Sequence, residues 1–293
     1  MDRFDAMRVF TRIVECRSFT RAAADLNLPR ATVTEAIQAL EARLGVRLLQ
    51  RTTRQVAPTL EGEAFYSRCL QLIAEVEDAE NAFSTGQPRG RLRIEVHGTM
   101  ARLLLCPRLP EFLTRYPEIA LDISEGDRFV DLVREGVDCA IRIGPLRDSE
   151  LVARRLTLLP EVTCASADYC ARHGVPRQLD DLQAGHTMVG FQSSALGAVL
   201  PLVFSVGGAL QQVSLPTRLR VSGAEAYAGA ALAGLGIIQA PRYRLQDDLA
   251  AGRLVALLED CPPPPLPVSL VHARGRLPSP RLRAFIDWVS GVF

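Results

Sequence analysis

The chain has 293 residues, 48% of them hydrophobic, enough for about two domains with substantial cores. Net charge is +1, and all 34 basic residues are arginine. The missing lysine excludes a Walker lysine, a pyridoxal Schiff base and a kinase-type lysine in one observation.

Residues 2–15, DRFDAMRVFTRIVE, place Phe4, Met7, Phe10 and Val14 on one face, a helix that covers the core of an N-terminal helical unit. An alanine-rich helix is expected around Arg21 to Leu26, where Ala22, Ala23 and Ala24 let a second helix approach closely. Asn27-Leu28 reads as the turn, because Asn tolerates a left-handed backbone, and Pro29 suits a first helical position. The next helix carries Val33, Ile37, Leu40 and Leu44 at i, i+4, i+7 and i+11. Burying that face turns Arg30, Thr32, Thr34, Glu35 and Gln38 outward, hydroxyls and hydrogen-bonding heads suited to groove edges of a DNA duplex. Thr20, just ahead of the alanine-rich pattern, is counted with them. A helical hairpin in an ordinary core would show the same spacing. The residues after it argue for a winged helix-turn-helix: Gly45 ends the helix, and Val46, Leu48 and Leu49 lead into a short two-stranded wing, with Arg51, Thr52, Thr53 and Arg54 placed to reach phosphate. Charge obeys the same division. Residues 1–60 hold ten Arg against six acids, +4; residues 61–87 hold one Arg against six acids, −5; the remainder is +2. The basic charge sits on the expected DNA reader, and is modest enough to call for two readers acting together.

Thr59 is a fitting N-cap, and Glu61 and Glu63 suit the positive end of a helix dipole. Phe65, Cys69, Leu72, Val76, Ala79 and Phe83 alternate steps of four and three, a seam near period 3.5 that would pair with a second copy of the chain or pack as a surface helix. Ser84 to Gly90 is a hinge by composition. Strands and helices then alternate: Leu92 to Val96, a helix over Leu103 to Tyr116, Ile119 to Ile123, a helix over Arg128 to Glu135, and Val137 to Ile143. A second unit starts near Glu161, with strand-like Thr187 to Phe191 and Leu219 to Val221, a helix over Ala224 to Ala233, and Gly236 to Ala240 as a strand. Pro262 to Pro265 is a stiff connector, Val268 to His272 a strand, and Ser279 to Val289 a closing helix with the sole tryptophan, Trp288. Such alternation implies a mostly parallel sheet with ligand sites at carboxyl ends of strands.

SFTRAAADLNL, ATVTEAIQALEARLGVRLLQRT and Thr59-Leu60-Glu61-Gly62 stand in the order and spacing of the LysR-type transcriptional regulators, which this chain resembles over essentially its whole length. PRLPEFLTRYPEIALDI, DLVREGVDCAIRIG and ALAGLGIIQAPRYRLQDDLAAGRLV carry the likeness in the second part. The resemblance implies an N-terminal all-α winged helix-turn-helix over residues 1–58, a dimerising linker helix and hinge over 59–90, and a C-terminal α/β effector-binding domain over 91–293, akin to periplasmic binding proteins. Its subdomain I would span about 91–161 and 267–293 and subdomain II about 162–266, with crossings near Leu159 to Val162 and near Leu266 to Pro267. It further implies double-stranded promoter DNA, a small-molecule effector and RNA polymerase as partners, a homodimer or homotetramer, no catalysis and no cofactor. Where the family commonly has a basic residue in the recognition helix this chain has Glu35, which would repel phosphate but accept from a cytosine amino group.

The effector is expected between the subdomains. Gly98-Thr99-Met100 follows the first strand of the α/β part and opens a helix whose free amides favour an anion, so a carboxylate is the leading expectation. Thr99 matches a position where the family often has a ligand-contacting Ser or Thr, and as a simple N-cap it would look the same. Across the cleft, Phe191, Gln192, Ser193, Ser222, Gly223 and the strand end at Gln239 are the matching candidates. Ser222-Gly223-Ala224 departs from the polar Asn- or Asp-containing turn common there.

Other chemistry finds less support. His97, His173, His186 and His272 lack metal-ligand spacing, Gly234-Leu235-Gly236 reads as a close-packing stretch rather than a dinucleotide loop, and there is no G-x-S-x-G elbow. The seven cysteines are scattered without a C-x-x-C pair, and most are expected to be small buried residues of a reducing compartment. Cys164 and Cys170 as a redox switch, like that of peroxide-sensing relatives, is the competing reading, with buried inert thiols favoured. The N-terminus has acids where a signal peptide has bases, and the longest low-polarity run, Ala226 to Ile238, is short and glycine-broken, so a cytoplasmic protein without a membrane span is expected. A solute-binding module with a vestigial reader and an α/β enzyme are the alternatives. The second lacks nucleophile, base and cofactor motifs.

Overall fold

The computed structural model describes residues 1–51, 56–82, 87–126, 132–146, 151–193, 196–274 and 278–293. The reader begins with α1 (Arg3–Cys16), capped by Asp2, whose carboxylate accepts from the Asp5 amide at 2.7 Å. Ser18 caps α2 (Phe19–Asp25), and Asn27, with φ +52°, makes the left-handed turn into α3 (Arg30–Leu44). Pro29 is the N-cap rather than the first helical residue, because its ψ of 140° is extended. Val9, Phe10, Ile13, Ala22, Val33, Ala36, Ile37 and Leu40 form one core. Leu44, expected to extend that face, is 40% exposed. The core ends a turn earlier, closed by Leu48 and Leu49.

The wing pairs β1 (Leu49–Arg51) with β2 (Val56–Pro58) antiparallel. Glu41 of α3 fixes it by accepting from the Leu48 and Leu49 amides at 2.8 and 3.0 Å. Thr59 caps α4 (Leu60–Ala82), accepting from the Gly62 amide at 3.0 Å while its hydroxyl donates to the Arg47 carbonyl. A Cβ on Gly62 would lie 2.0 Å from the Leu48 carbonyl oxygen, so only glycine lets α4 start against the wing. The expected seam along α4 is divided. Phe65 and Cys69 pack into the core of their own reader, with the Phe65 ring 5.5 Å from Phe10, whereas Leu72 and Val76 are exposed.

The first α/β unit contains β3 (Gly90–Val96), the short α5 (Gly98–Met100) running into a π turn at Ala101–Leu105, α6 (Leu109–Arg115), β4 (Ile119–Glu125), α7 (Leu132–Glu135), β5 (Cys139–Ile143) and β6 (Leu151–Leu159). The single helix expected from Leu103 to Tyr116 is broken there, where Pro107 has no amide to donate. The second unit holds β7 (Glu161–Ser166), α8 (Ala167–His173), a 3-10 turn at Leu179–Gln183, β8 (Gly190–Phe191), β9 (Leu202–Val206), β10 (Ala209–Val213), β11 (Arg220–Val221), α9 (Ala224–Leu232), β12 (Ile238–Pro241), α10 (Arg242–Ala250) and β13 (Leu254–Ala256). The chain returns through β14 (Leu266–Ala273) and ends with α11 (Pro280–Val289).

The first sheet has the order β4-β3-β5-β14-β6, with β3 parallel to β4 and β5, and β14 antiparallel to β5 and β6. Phe112, Phe285 and Trp288 fill its core, with Phe112 edge-on to Phe285 at 5.7 Å. The second unit is not mostly parallel: β7 lies between β12 and β13, antiparallel to both, and among the described residues parallel pairing is confined to the short β8-β11 pair and a single bridge from Met188 to Ile237. Passage between the units occurs at Pro160 and through residues 257–265, close to the expected crossings.

Reader and α/β part touch. Glu15 of α1 accepts from Arg91 and Arg93 of β3 at 3.1 and 3.5 Å, and Arg91 also pairs with Asp122 of β4. Beside these pairs lies a cavity of about 530 Å³ lined by residues including Arg8 of α1, Glu77 of α4, Asp138 and Arg281. No helix among the described residues is long and apolar enough to cross a membrane.

Candidate functional site

On α3, Arg30, Glu35 and Gln38 are exposed, Thr32 and Thr34 are half-buried, and Thr20 is exposed on α2. Arg30, Thr34 and Gln38 stand four residues apart, one row along the helix beside its buried face. The Thr34 hydroxyl donates to the Arg30 carbonyl at 3.0 Å, which leaves its oxygen to a partner only as an acceptor. Arg51 ends β1, which places it where the wing leaves the reader. Thr52, Thr53 and Arg54 lie outside the described residues, as do Ser84 to Gly86 of the expected hinge.

The second constellation joins the two α/β units. Thr99, in the turn after β3, is buried, and its hydroxyl donates to Oε1 of Glu225 at 2.5 Å. Arg244 Nη2 donates to the same Thr99 oxygen at 3.1 Å. Glu225 lies in the first turn of α9 and Arg244 in the first turn of α10, both on the second unit. Tyr243, next to Arg244, has a buried hydroxyl with no hydrogen-bond partner among the described residues. Burial pushes that phenol up to about 12, with Arg244 drawing it down and Glu225 pushing it further up. Gly98 is a close approach as well: a Cβ there would sit 2.4 Å from Glu125 Oε2. Thr99 therefore does more than cap a helix, and two carboxylates with one guanidinium already face the turn where an anion was expected.

The other expected contacts fare differently. Met100 is fully buried in the core of the first unit and presents no side chain to a ligand. Gln239 is committed to structure: its Oε1 accepts from the Val203 amide at 2.7 Å, and its Nε2 donates to the Val203 carbonyl and to Thr163 Oγ1, each at 2.9 Å. Every amide position is satisfied by β9 and β7, because β9 is tied to the second sheet through this side chain. Phe191 packs its ring on Tyr227 at 5.2 Å, Gln192 bridges to Val199, and Ser193 Oγ accepts from the Leu196 amide at 3.2 Å. Ser222 is exposed and Gly223 is the N-cap of α9, two residues from Glu225. Sequence reasoning missed Glu225, Arg244 and Tyr243. The available signal was a charged side chain in the first helical turn after a strand end, which a helix-surface reading absorbs.

A buried ion pair sits at the end of the sheet beneath the Thr99 turn, Arg142 Nη1 to Glu95 Oε1 at 2.5 Å. Removing one partner of such a pair costs about 3–5 kcal/mol, because it leaves the other charge buried without compensation. Burial pushes the Cys164 thiol up to about 12 and raises Cys170 too, so neither is a thiolate at neutral pH. Of the four histidines, scattered in sequence, His173 and His186 meet around Tyr169: His173 stacks on its ring at 4.4 Å, and His186 Nδ1 lies 3.2 Å from its hydroxyl. Burial, then His173, lowers the His186 pKa. Among the described residues no three His, Cys, Asp or Glu side chains gather as a metal site. Gly236 lies against the backbone of Thr187 to Val189, and Gly234 against the side chains of Ser166, Asp168 and Arg172, the close packing expected of this stretch.

Comparison with known proteins bears on both constellations. Residues 4–63 match the model of bacterial regulatory helix-turn-helix proteins of the lysR family, and residues 85–293 match the LysR substrate binding domain. The chain is 41% identical, over 100% of its length and 98% of the other's, to YhjC, an HTH-type transcriptional regulator of Escherichia coli. It is 32% identical, over 97% and 95%, to the HTH-type transcriptional regulator CrgA of Neisseria meningitidis. The solved structure of CrgA aligns over 98% of this chain and 97% of that one with a TM-score of 0.60 and 31% identity. Full-length AphB, a virulence activator of Vibrio cholerae, aligns over 99% of each chain with a TM-score of 0.60 and 27% identity.

Proposed function

The chain belongs to the LysR family of bacterial transcriptional regulators, and on that premise we propose that it grips promoter DNA as a homodimer or dimer of dimers, under control of a small carboxylate held between its two α/β units. The observation that carries the DNA half is the row Arg30, Thr34 and Gln38 with Glu35 on the outer face of α3, backed by a closed core and flanked by the wing. A helix of this kind fits the major groove, where hydroxyl, amide and carboxylate heads read base edges at about 1–3 kcal/mol per good contact. Arg51 and the wing tip supply phosphate contacts, which add affinity without sequence preference. With a charge of only +4 over residues 1–60, one reader binds weakly, and a second on the same partner chain multiplies the grip through effective concentration.

In this reading residues 1–58 are the reader, 59–90 the dimerising helix and hinge, and 91–293 the effector-binding part. The protein is cytoplasmic, contacts RNA polymerase at the promoter, and catalyses nothing. Arg244, Thr99 and the Tyr243 hydroxyl support a carboxylate ligand: a guanidinium, a hydroxyl donor and a buried hydroxyl with unused capacity. Effector binding alters how the two units sit, α4 carries the change to the reader, and reader spacing and DNA bend respond. The experiment is a footprint on the protein's own upstream DNA, with and without metabolites that raise its melting temperature. Changed protection or bending is expected; identical patterns would remove the coupling.

A further inference from the structure

The contact that joins the two α/β units has the chemistry of a bound carboxylate. A threonine hydroxyl carries one hydrogen, and Thr99 gives it to Glu225, while Arg244 donates to the same oxygen. Thr99 is 4% exposed and belongs to the first unit; Glu225 is an exposed residue of the second, so its stem can turn to water without leaving a buried charge. Only one carboxylate at a time can accept the Thr99 hydrogen.

We infer that Glu225 is a tethered stand-in for the effector's carboxylate: in the ligand-free chain it holds the acceptor position on Thr99 beside Arg244, and an effector binds by taking its place. The inference rests on the cleft reading proposed for this family member and adds how that cleft selects. A group on the same chain competes at an effective concentration of roughly millimolar or more, so a bare small acid present below that level does not displace it. A successful effector carries further groups that gain what Glu225 cannot, and the buried hydroxyl of Tyr243, without a partner among the described residues, is positioned on the same helix as Arg244 to reward one. Displacement also removes the side-chain staple between the units, so occupancy and the relative placement of the units are linked.

The test is chemical rescue in the full-length protein. Glu225→Ala removes a methylene and a carboxylate, which together are acetate. Titrated against chloride at matched ionic strength, acetate should raise the melting temperature of Glu225→Ala saturably, with an apparent affinity roughly tenfold or more above that for the unaltered chain. The response should vanish in Glu225→Ala/Thr99→Val. An acetate response absent from Glu225→Ala, or equal in the unaltered chain, overturns the inference. If Glu225→Ala does not fold, Glu225→Ser, which likewise removes the carboxylate and shortens the side chain, serves with hydrogen exchange over residues 97–105: added protection on acetate addition is expected, and none would overturn it. Neither readout involves DNA, so failure of the regulatory reading would appear in footprints and leave this titration intact.

Discussion

Glu161 opens β7 immediately after the crossover at Pro160, and burial alone pushes its carboxyl up to about 7. A carboxyl whose folded pKa lies above its unfolded value near 4.5 holds its proton longer in the native state, so folding stability falls as pH rises between those values. Each pK unit corresponds to about 1.4 kcal/mol, which sets an upper bound of about 3 kcal/mol for the full window. Glu161→Gln should therefore be more stable than the parent at pH 8 by about 2–3 kcal/mol, and equal to it at about pH 4, below both values, in urea melts at the two pH values. Equal stability at pH 8 would show the carboxylate to be better solvated than its burial implies. Two residues of the reader separate sequence reading from simple attraction. Glu35→Ala should alter base preference at one position by about 1–3 kcal/mol, whereas Arg51→Ala should weaken all sequences alike and lower the salt slope by about 1. A uniform loss from Glu35→Ala in binding to a randomised site library would contradict the groove placement. Cleft residues were legible in part: Thr99 was visible because it follows a strand, but Glu225 and Arg244 reach it from the opposite unit, and such pairings come from tertiary placement that no local pattern encodes.

At the scale of elements, α4 explains how a reader is held and turned. Phe65 and Cys69 lock its first half into the reader core, while Leu70 packs against the α/β part, where a Cβ at Gly136 would meet it at 3.4 Å. Leu72 and Val76 are left outward, 42% and 38% exposed, and burying the remainder of such side chains against a second copy stabilises by about 1 kcal/mol each. Leu72→Asp should convert the assembly to monomers at micromolar concentration in sedimentation, while leaving the monomer folded; an unchanged mass would place the dimer contact elsewhere. The period of α4 was readable, but which members of the seam stay in the protomer was not, since Phe65 and Leu72 differ only in what α1 covers. The face of α3 was readable for the same reason that Leu44 was misplaced: periodicity gives direction and not where the core stops. The β9-β10 hairpin had a signal in Gly207-Gly208 between alternating apolar residues, but β6, LVARRLTLL, lacks strict alternation, and pattern alone did not raise it.

Over the whole molecule, the reader meets the α/β part through partly exposed ion pairs of Glu15 with Arg91 and Arg93, each worth about 0–1 kcal/mol, while α4 packs Leu70 against the first α/β unit at Gly136. The ion pairs are the weak part of this junction, whereas the reader core and the first sheet are closely packed through buried apolar and aromatic side chains. In the proposed coupling, displacement of the Glu225–Thr99 staple between the α/β units is passed across this junction to the reader as a change in reader spacing. The most direct measurement is selection of fragments of the parent genome by the purified full-length protein at physiological salt, in the presence of bulk competitor DNA. The account predicts enrichment of a few promoter fragments with paired half-sites about one helical turn apart or a multiple of it, kept in the same order at lower yield by Arg51→Ala and re-ranked by Glu35→Ala. Fragments recovered in proportion to their abundance, with or without metabolites, would contradict it.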